Sequence, residues 1–286
     1  TEQSSSAKSF RLIDFHVHLR KPQPHSYPQA YGLSLEQLIN RMDREGIDKT
    51  VLQPLESPEA KEYFLTEEAV AARDLYPERL IAFVSVDPRR PHAVEHIVAW
   101  LEKRDCRGLG EFKNELDFDD PRSEAIYEVC NEYALPLVFH IDPTLCRDET
   151  GLPRVAAMAE KYPAVRFVGH GPGFWTAISR DDDRKGGYPT GPVTAGGAVD
   201  RLLGEHDNMY AELSGHSGYN AMTRDIGFTE GFLERNHHKL IFGTDYIQAG
   251  QKLPQVEWLA SIDLPIEWRQ EIAFDNALSL LGMSGE

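Results

Sequence analysis

The chain has 286 residues, with 46 acidic side chains against 30 Lys and Arg, for a formal net charge of −16. This argues against a phosphate-backbone binder or a surface held on anionic lipid, and no apolar run reaches the length of a membrane span, so neither nucleic acid nor membrane is an expected partner. Cys106, Cys130 and Cys146 form an odd set without C-x-x-C spacing, which suggests neither a disulfide framework nor a zinc ribbon and fits a reducing cytoplasm.

The N-terminal TEQSSSAKS lacks an apolar signal core. Residues 1–9 read as a disordered tail and residues 10–286 as one domain, while a leader already removed would leave no trace. The first apolar run lies within RLIDFHVHLR, residues 11–20. Leu12, Ile13, Phe15 and Val17 have strand character, and a strand's side-chain period of two puts His16 and His18 on the same side. Two imidazoles facing one place are either a hydrogen-bonded core pair or a pair of metal ligands, neutral imidazole being the commonest nitrogen ligand of a catalytic metal.

Seven more apolar runs follow: KTVLQPL from 49, LIAFVSV from 80, RGLGEF from 107, LPLVFH to His140, VRFVGH to His170, NMYAEL to Leu213 and KLIFGTD to Asp245. Amphipathic segments such as SLEQLINRMDREG, TEEAVAARDLYPE, AVEHIVAWLEKR, SEAIYEVCNEYA and LPRVAAMAEKYP alternate with them, several closing on Gly or a Pro-containing turn. Eight strands with crossovers in a chain of this length predict an α/β fold, a single (β/α)8 TIM barrel. The stretch from Gly171 to about Ala198, rich in Gly, Pro and aromatics, breaks the rhythm. It is expected to be a lid after strand six, over the barrel mouth.

Barrel enzymes build their sites at the carboxyl ends of the strands. Those ends carry His16 and His18 on the first, Glu111 on the fourth, His140 on the fifth, His170 on the sixth and Asp245 on the eighth. Singly each has an ordinary reading, Asp245 as a helix cap or Glu111 as a surface carboxylate. Together they place four imidazoles and two carboxylates at one end of one barrel.

HVH on strand one, the histidines closing strands five and six, FGTD on strand eight and the terminal NALSLLG resemble the amidohydrolase superfamily, in particular its amidohydrolase-related branch of metal-dependent hydrolases. The resemblance runs from Leu12 to Gly282. It implies that His16, His18 and Asp245 hold a divalent metal, zinc or else manganese, with His140 completing the shell. Asp245 would also take a proton from water, and His170 would bind a second ion or act over the substrate. In a nuclease-like branch a strand-four Glu in a GE motif bridges two metals, and GLGEFK supplies Glu111, so one or two ions are expected. Lys113, which lies two residues on, ranks below it as a bridge and reads as a substrate contact.

Trp175, Tyr188, Tyr219 and Tyr246, with Arg20, Lys21, Lys113 and Arg180, lie near the predicted mouth. Of these, Lys113, Trp175 and Tyr246 are taken as substrate-binding. His216 could also reach the site, whereas His25, His92, His96, His206, His237 and His238 are expected at the surface. The G-x-S-x-G elbow is absent and Ser214 has no such context, so a serine triad does not compete. The leading expectation is a metal-dependent hydrolase of a lactone, ester or amide in a small molecule, using metal-activated water. The alternative is a decarboxylase or hydratase on the same ligands, because a fold does not dictate the reaction. A homo-oligomer is compatible with either. A barrel that only binds is disfavoured, since a pure binder needs neither Asp245 nor His170 for proton transfer.

Overall fold

The computed structural model describes residues 10–19, 32–59, 64–185 and 187–284. The expected tail, Arg20, Lys21 and His25 lie outside the described residues. Each of the eight apolar runs contains a strand: β1 Ile13–Val17, β2 Lys49–Leu52, β3 Leu80–Ala82, β4 Leu109–Phe112, β5 Pro136–His140, β6 Arg166–His170, β7 Met209–Glu212 and β8 Leu240–Ile241. The helices are α1 Leu35–Glu45, α2 Thr66–Leu75, α3 Ala93–Arg104, α4 Pro121–Glu132, α5 Pro153–Lys161, α6 Pro172–Thr176, α7 Ala198–Glu205, α8 Gly215–Thr223, α9 Ile226–Asn236, α10 Gln255–Ser261, α11 Ile266–Gln270 and α12 Asn276–Leu281. Local chemistry sets the limits of α1. Ser34 and Gln37 form a reciprocal capping box, and Gly46, in the left-handed region, ends the helix.

The strands pair in parallel as β1-β2-β3 and β4-β5-β6-β7-β8. Main-chain bonds close both seams. Val84 N donates to Gly108 O (2.9 Å) and Gly110 N to Val84 O (3.0 Å), joining the end of β3 to β4. At the other seam Phe15 N donates to Phe242 O (3.1 Å), Asp245 N to His16 O (2.9 Å) and His18 N to Tyr246 O (3.0 Å). The ring is thus the expected barrel, with no open edge. β8 is shorter than its apolar run because Phe242 N turns away to Ile272 O (2.9 Å).

β1 carries a register shift between Asp14 and Val17, which oppose Thr50 and Leu52 of β2. Asp14, two residues before His16, therefore does not join the histidines. Its carboxylate accepts from Thr244 N (2.9 Å), Thr244 Oγ1 (2.6 Å) and the buried Arg41 Nη1 (3.2 Å), a buried ion pair tying α1 and the β8 extension to β1.

After β6 the chain forms the short α6, and the described residues 177–185 and 187–197 then run without helix or strand. This segment is tied down. Val193 N donates to Asp225 Oδ2 (2.9 Å), Asn220 Nδ2 to Pro189 O (3.1 Å) and Arg184 Nη1 to Gly173 O (2.8 Å), while the Tyr188 ring meets His216 at 4.6 Å. Among the described residues no helix is long and apolar enough to cross a membrane.

Candidate metal centre

The four strand-end histidines each use one ring nitrogen to hold their position and turn the other to a common centre. His16 Nδ1 bonds Glu212 Oε1 (2.6 Å), His18 Nδ1 bonds Gln53 O (2.6 Å), His140 Nε2 bonds Asp142 Oδ2 (3.0 Å) and His170 Nδ1 bonds Ser214 Oγ (2.7 Å). Such partners fix the tautomer and the ring plane. Gln53 O can only accept, so His18 Nδ1 carries a proton, and in the neutral ring Nε2 is a bare lone pair. A carboxylate partner assigns His16 in the same way. These two lone pairs face each other at 2.9 Å, an arrangement that neutral rings cannot hold without a cation or proton between them.

The neighbouring atoms fit a cation. His18 Nε2 lies 3.4 Å from Asp245 Oδ1 and 3.3 Å from Glu111 Oε2, and His16 Nε2 lies 3.7 and 3.8 Å from the same two oxygens. Ligands about 2.1 Å from one ion stand roughly 3.0–3.5 Å from one another. A second group stands beside the first: Glu111 Oε1 is 3.0 Å from His140 Nδ1 and 3.6 Å from His170 Nε2. Both Glu111 Oε1 and His140 Nδ1 are buried without a hydrogen-bond partner, as befits atoms reserved for an ion or a ligand. The donor set therefore fits a divalent metal.

Crowding in one buried pocket shifts His16, His18, His170, Glu111 and Asp245. Burial opposes charge on His16, but Glu212, Glu111 and Asp245 outweigh it and hold the ring well above the ordinary imidazole range. His18 is raised against burial by Asp245 and Glu111. Burial and then the charge of His16 push His170 down to about 4. Glu111 and Asp245 lie below the ordinary carboxylate range: burial works against ionisation, but Lys113 and the histidines favour it for Glu111, and His18, His16 and His170 for Asp245.

Asp245 sits four residues beyond β8, at φ 57°, a left-handed position that Asp tolerates better than most side chains. Its bond to His16 O turns the carboxylate back over the centre, with Oδ1 toward His16 and His18 and Oδ2 4.0 Å from His170 Nε2. Gly215, at φ 68°, makes this approach tolerable, since a Cβ there would stand 3.3 Å from Asp245 Oδ2.

His140 joins Glu111 and His170 rather than the His16, His18 and Asp245 group. Lys113 Nζ lies 3.8 Å from Glu111 Oε1 and is partly exposed, within reach of a ligand. Trp175 does not line the mouth as expected. It is 2% exposed, its Nε1 donates to Glu212 O (3.0 Å) and its ring packs against Phe174 and Phe232, because a buried indole needs an acceptor and finds it on β7. Tyr246 is also buried, beneath the Arg41 guanidinium at 4.5 Å. His216 is exposed against Tyr188. His92, His96, His206, His237 and His238 belong to none of the ligand groups among the described residues.

Sequence reasoning missed Glu212 and Ser214. Glu212 is fully buried at the end of β7 and bonds His16 and Ser214. The signal was present: a carboxylate inside the apolar run NMYAEL is as anomalous as histidines inside LIDFHV.

No curated protein matches this sequence. Solved structures resemble the fold over nearly the whole length. An uncharacterised TIM-barrel protein from Bordetella bronchiseptica has TM-score 0.69 and 15% identity over 97% of this chain and 100% of its own. A 5-carboxyvanillate decarboxylase from Novosphingobium aromaticivorans, complexed with manganese, has TM-score 0.63 and 16% identity over 97% of each chain. A probable 2-pyrone-4,6-dicarboxylic acid hydrolase from Acinetobacter baumannii, with citric acid bound, has TM-score 0.62 and 15% identity over 96% of this chain and 100% of that one. Identities this low speak for the fold alone. The family model for amidohydrolases, however, matches residues 13–283; this barrel, with its histidines and carboxylates gathered at the strand ends, belongs to the amidohydrolase family and is an enzyme of that superfamily.

Proposed function

We propose that the chain hydrolyses a lactone, ester or amide bond in a small organic molecule, with a divalent ion, zinc in the first instance, held by His16, His18 and Asp245. One observation carries this reading: the two oxygens of Asp245 face different partners, Oδ1 the His16 and His18 nitrogens and Oδ2 the His170 Nε2. A carboxylate so divided can help hold an ion while its second oxygen handles a proton. The imidazole-rich set favours zinc, and the added carboxylate of Glu111 brings manganese within reach.

A divalent ion at these ligands supplies Lewis acidity, polarising the substrate carbonyl and making water acidic near neutral pH. Asp245 Oδ2 accepts the proton of the attacking water and returns it to the departing oxygen or nitrogen. His170, with its proton on Nδ1, presents an Nε2 lone pair 4.0 Å from Asp245 Oδ2, where it can orient the water before attack. Lys113 supplies positive charge for an anionic substituent. A lyase reading, decarboxylation or hydration on the same ligands, draws on the likeness to the decarboxylase named above and would use Lys113 to hold a carboxylate.

The deciding experiment measures metal content per chain and screens lactones, esters, amides and aromatic acids in ¹⁸O-water. Hydrolysis incorporates ¹⁸O into the acid product of a zinc-bearing protein. Release of CO2 with no ¹⁸O in the organic product would replace it with the lyase reading.

A further inference from the structure

We infer that Glu212 and Ser214 are positioning residues through which one buried carboxylate dictates the proton-bearing nitrogen on two imidazoles, His16 directly and His170 through the Ser214 hydroxyl. The inference rests on the proposed reading only for its consequence in turnover.

The bonds leave a single solution. Glu212 Oε1 meets both His16 Nδ1, at 2.6 Å, and Ser214 Oγ in a short contact. A carboxylate has no proton to offer, so His16 Nδ1–H and Ser214 Oγ–H both donate to it. The single hydroxyl proton is then committed. Ser214 Oγ can only accept from His170, 2.7 Å away, which puts the His170 proton on Nδ1 and leaves Nε2 bare toward Glu111 and Asp245. Reversing either bond would set two acceptors against each other in a dry interior, a costly arrangement.

The surroundings hold the pair in place. Trp175 Nε1 donates to Glu212 O (3.0 Å), fixing the main chain from which the carboxylate projects. Gln53 Nε2 approaches Glu212 Oε2 at 3.4 Å, and the carbonyl of the same residue accepts from His18 Nδ1. Gly243 leaves the room the pair occupies, since a Cβ there would stand 3.0 Å from Ser214 Cβ and 3.2 Å from Glu212 Cδ.

The test reads tautomers and zinc affinity rather than turnover. Long-range ¹H–¹⁵N NMR of histidine-labelled, zinc-loaded protein should show His16 and His170 protonated on Nδ1. Ser214→Ala should release His170 to a tautomer mixture, leave His16 as it was and change the zinc Kd by less than about twofold. Ser214→Thr, which keeps the hydroxyl, should restore the His170 signature. Glu212→Gln should disturb both rings and weaken zinc binding by about 10–100-fold, the usual cost of losing an outer partner of a ligand. The Ser214 pair of variants decides the matter by itself if Glu212→Gln does not fold. His170 protonated on Nε2 in the wild type, or a His170 signal indifferent to Ser214→Ala, overturns the inference. A wild type with these tautomers and no hydrolytic activity would overturn the proposed reaction instead and leave this inference standing.

Discussion

On the β1 and β8 side of the centre, His16, His18 and Asp245 ride on segments bonded main chain to main chain, through Asp245 N to His16 O and His18 N to Tyr246 O. Their inward atoms lie 2.9–3.7 Å apart, the compass of one ion. Across the centre, His140 and His170 are register partners on β5 and β6, and Glu111 joins them from β4 with Lys113 beside it. That side keeps two acceptors, Glu111 Oε1 and His140 Nδ1, without hydrogen-bond partners. The contrast teaches that the seam side gathers its donor atoms within the span of one ion, whereas the β4–β6 side keeps buried polar atoms aimed at the centre without hydrogen-bond partners.

The harshest way to break the comparison is to remove a ligand from each side in turn. His18→Ala should abolish activity and weaken metal binding by roughly a thousandfold or more, beyond the 10–100-fold cost of an outer partner. His140→Ala should leave the first ion bound. Metal content and activity on both variants check this, and full metal occupancy in His18→Ala would remove the seam group from the assignment.

Glu111→Gln sharpens the comparison with an intermediate effect, because it keeps the shape and removes the charge. Loss of one of two ions together with a fall of about 10²-fold or more in kcat identifies a bridging carboxylate. A similar fall in kcat at unchanged metal content identifies a residue facing the substrate. If neither quantity moves, Glu111 has no part in the site.

The smallest effect expected is on pH. His16 and His18 are raised above the ordinary imidazole value of about 6.5. In the metal-free protein their contribution to stability is therefore fully present below that value and is lost as pH rises through the raised folded values. An ion must displace the same protons, so its apparent affinity should rise with pH over that window, by up to about tenfold per unit for each proton released. Calorimetry in buffers of different ionisation enthalpy counts those protons. Metal binding that releases none, at constant affinity, would mean the seam histidines are already free of them.

Much of this architecture was legible in the chain. The histidine pair stood out because imidazoles are anomalous inside an apolar run, and a period of two put them together. Asp245 was legible as a group near the end of strand eight, but its left-handed backbone and four-residue overhang follow from bonds to β1 that lie more than 200 positions away in the chain. Trp175 misled because an indole in a Gly- and Pro-rich stretch resembles a mouth residue, and nothing local reveals that Glu212 O waits for its N–H. Glu212 and Ser214 went unread although NMYAEL carried the anomaly, since a carboxylate near a strand end most often faces water.

Composition, period and strand-end chemistry thus determine the barrel, the end at which its chemistry collects and the residue types available there, because all of these depend on short-range geometry that every strand and helix obeys. Only the tertiary structure decides that His140 sides with Glu111 rather than with His16, that Asp245 divides its oxygens between two partners, and that one buried glutamate serves two histidines. These are distances between atoms far apart in sequence, and they come into being only when the ring of strands closes and its register is set.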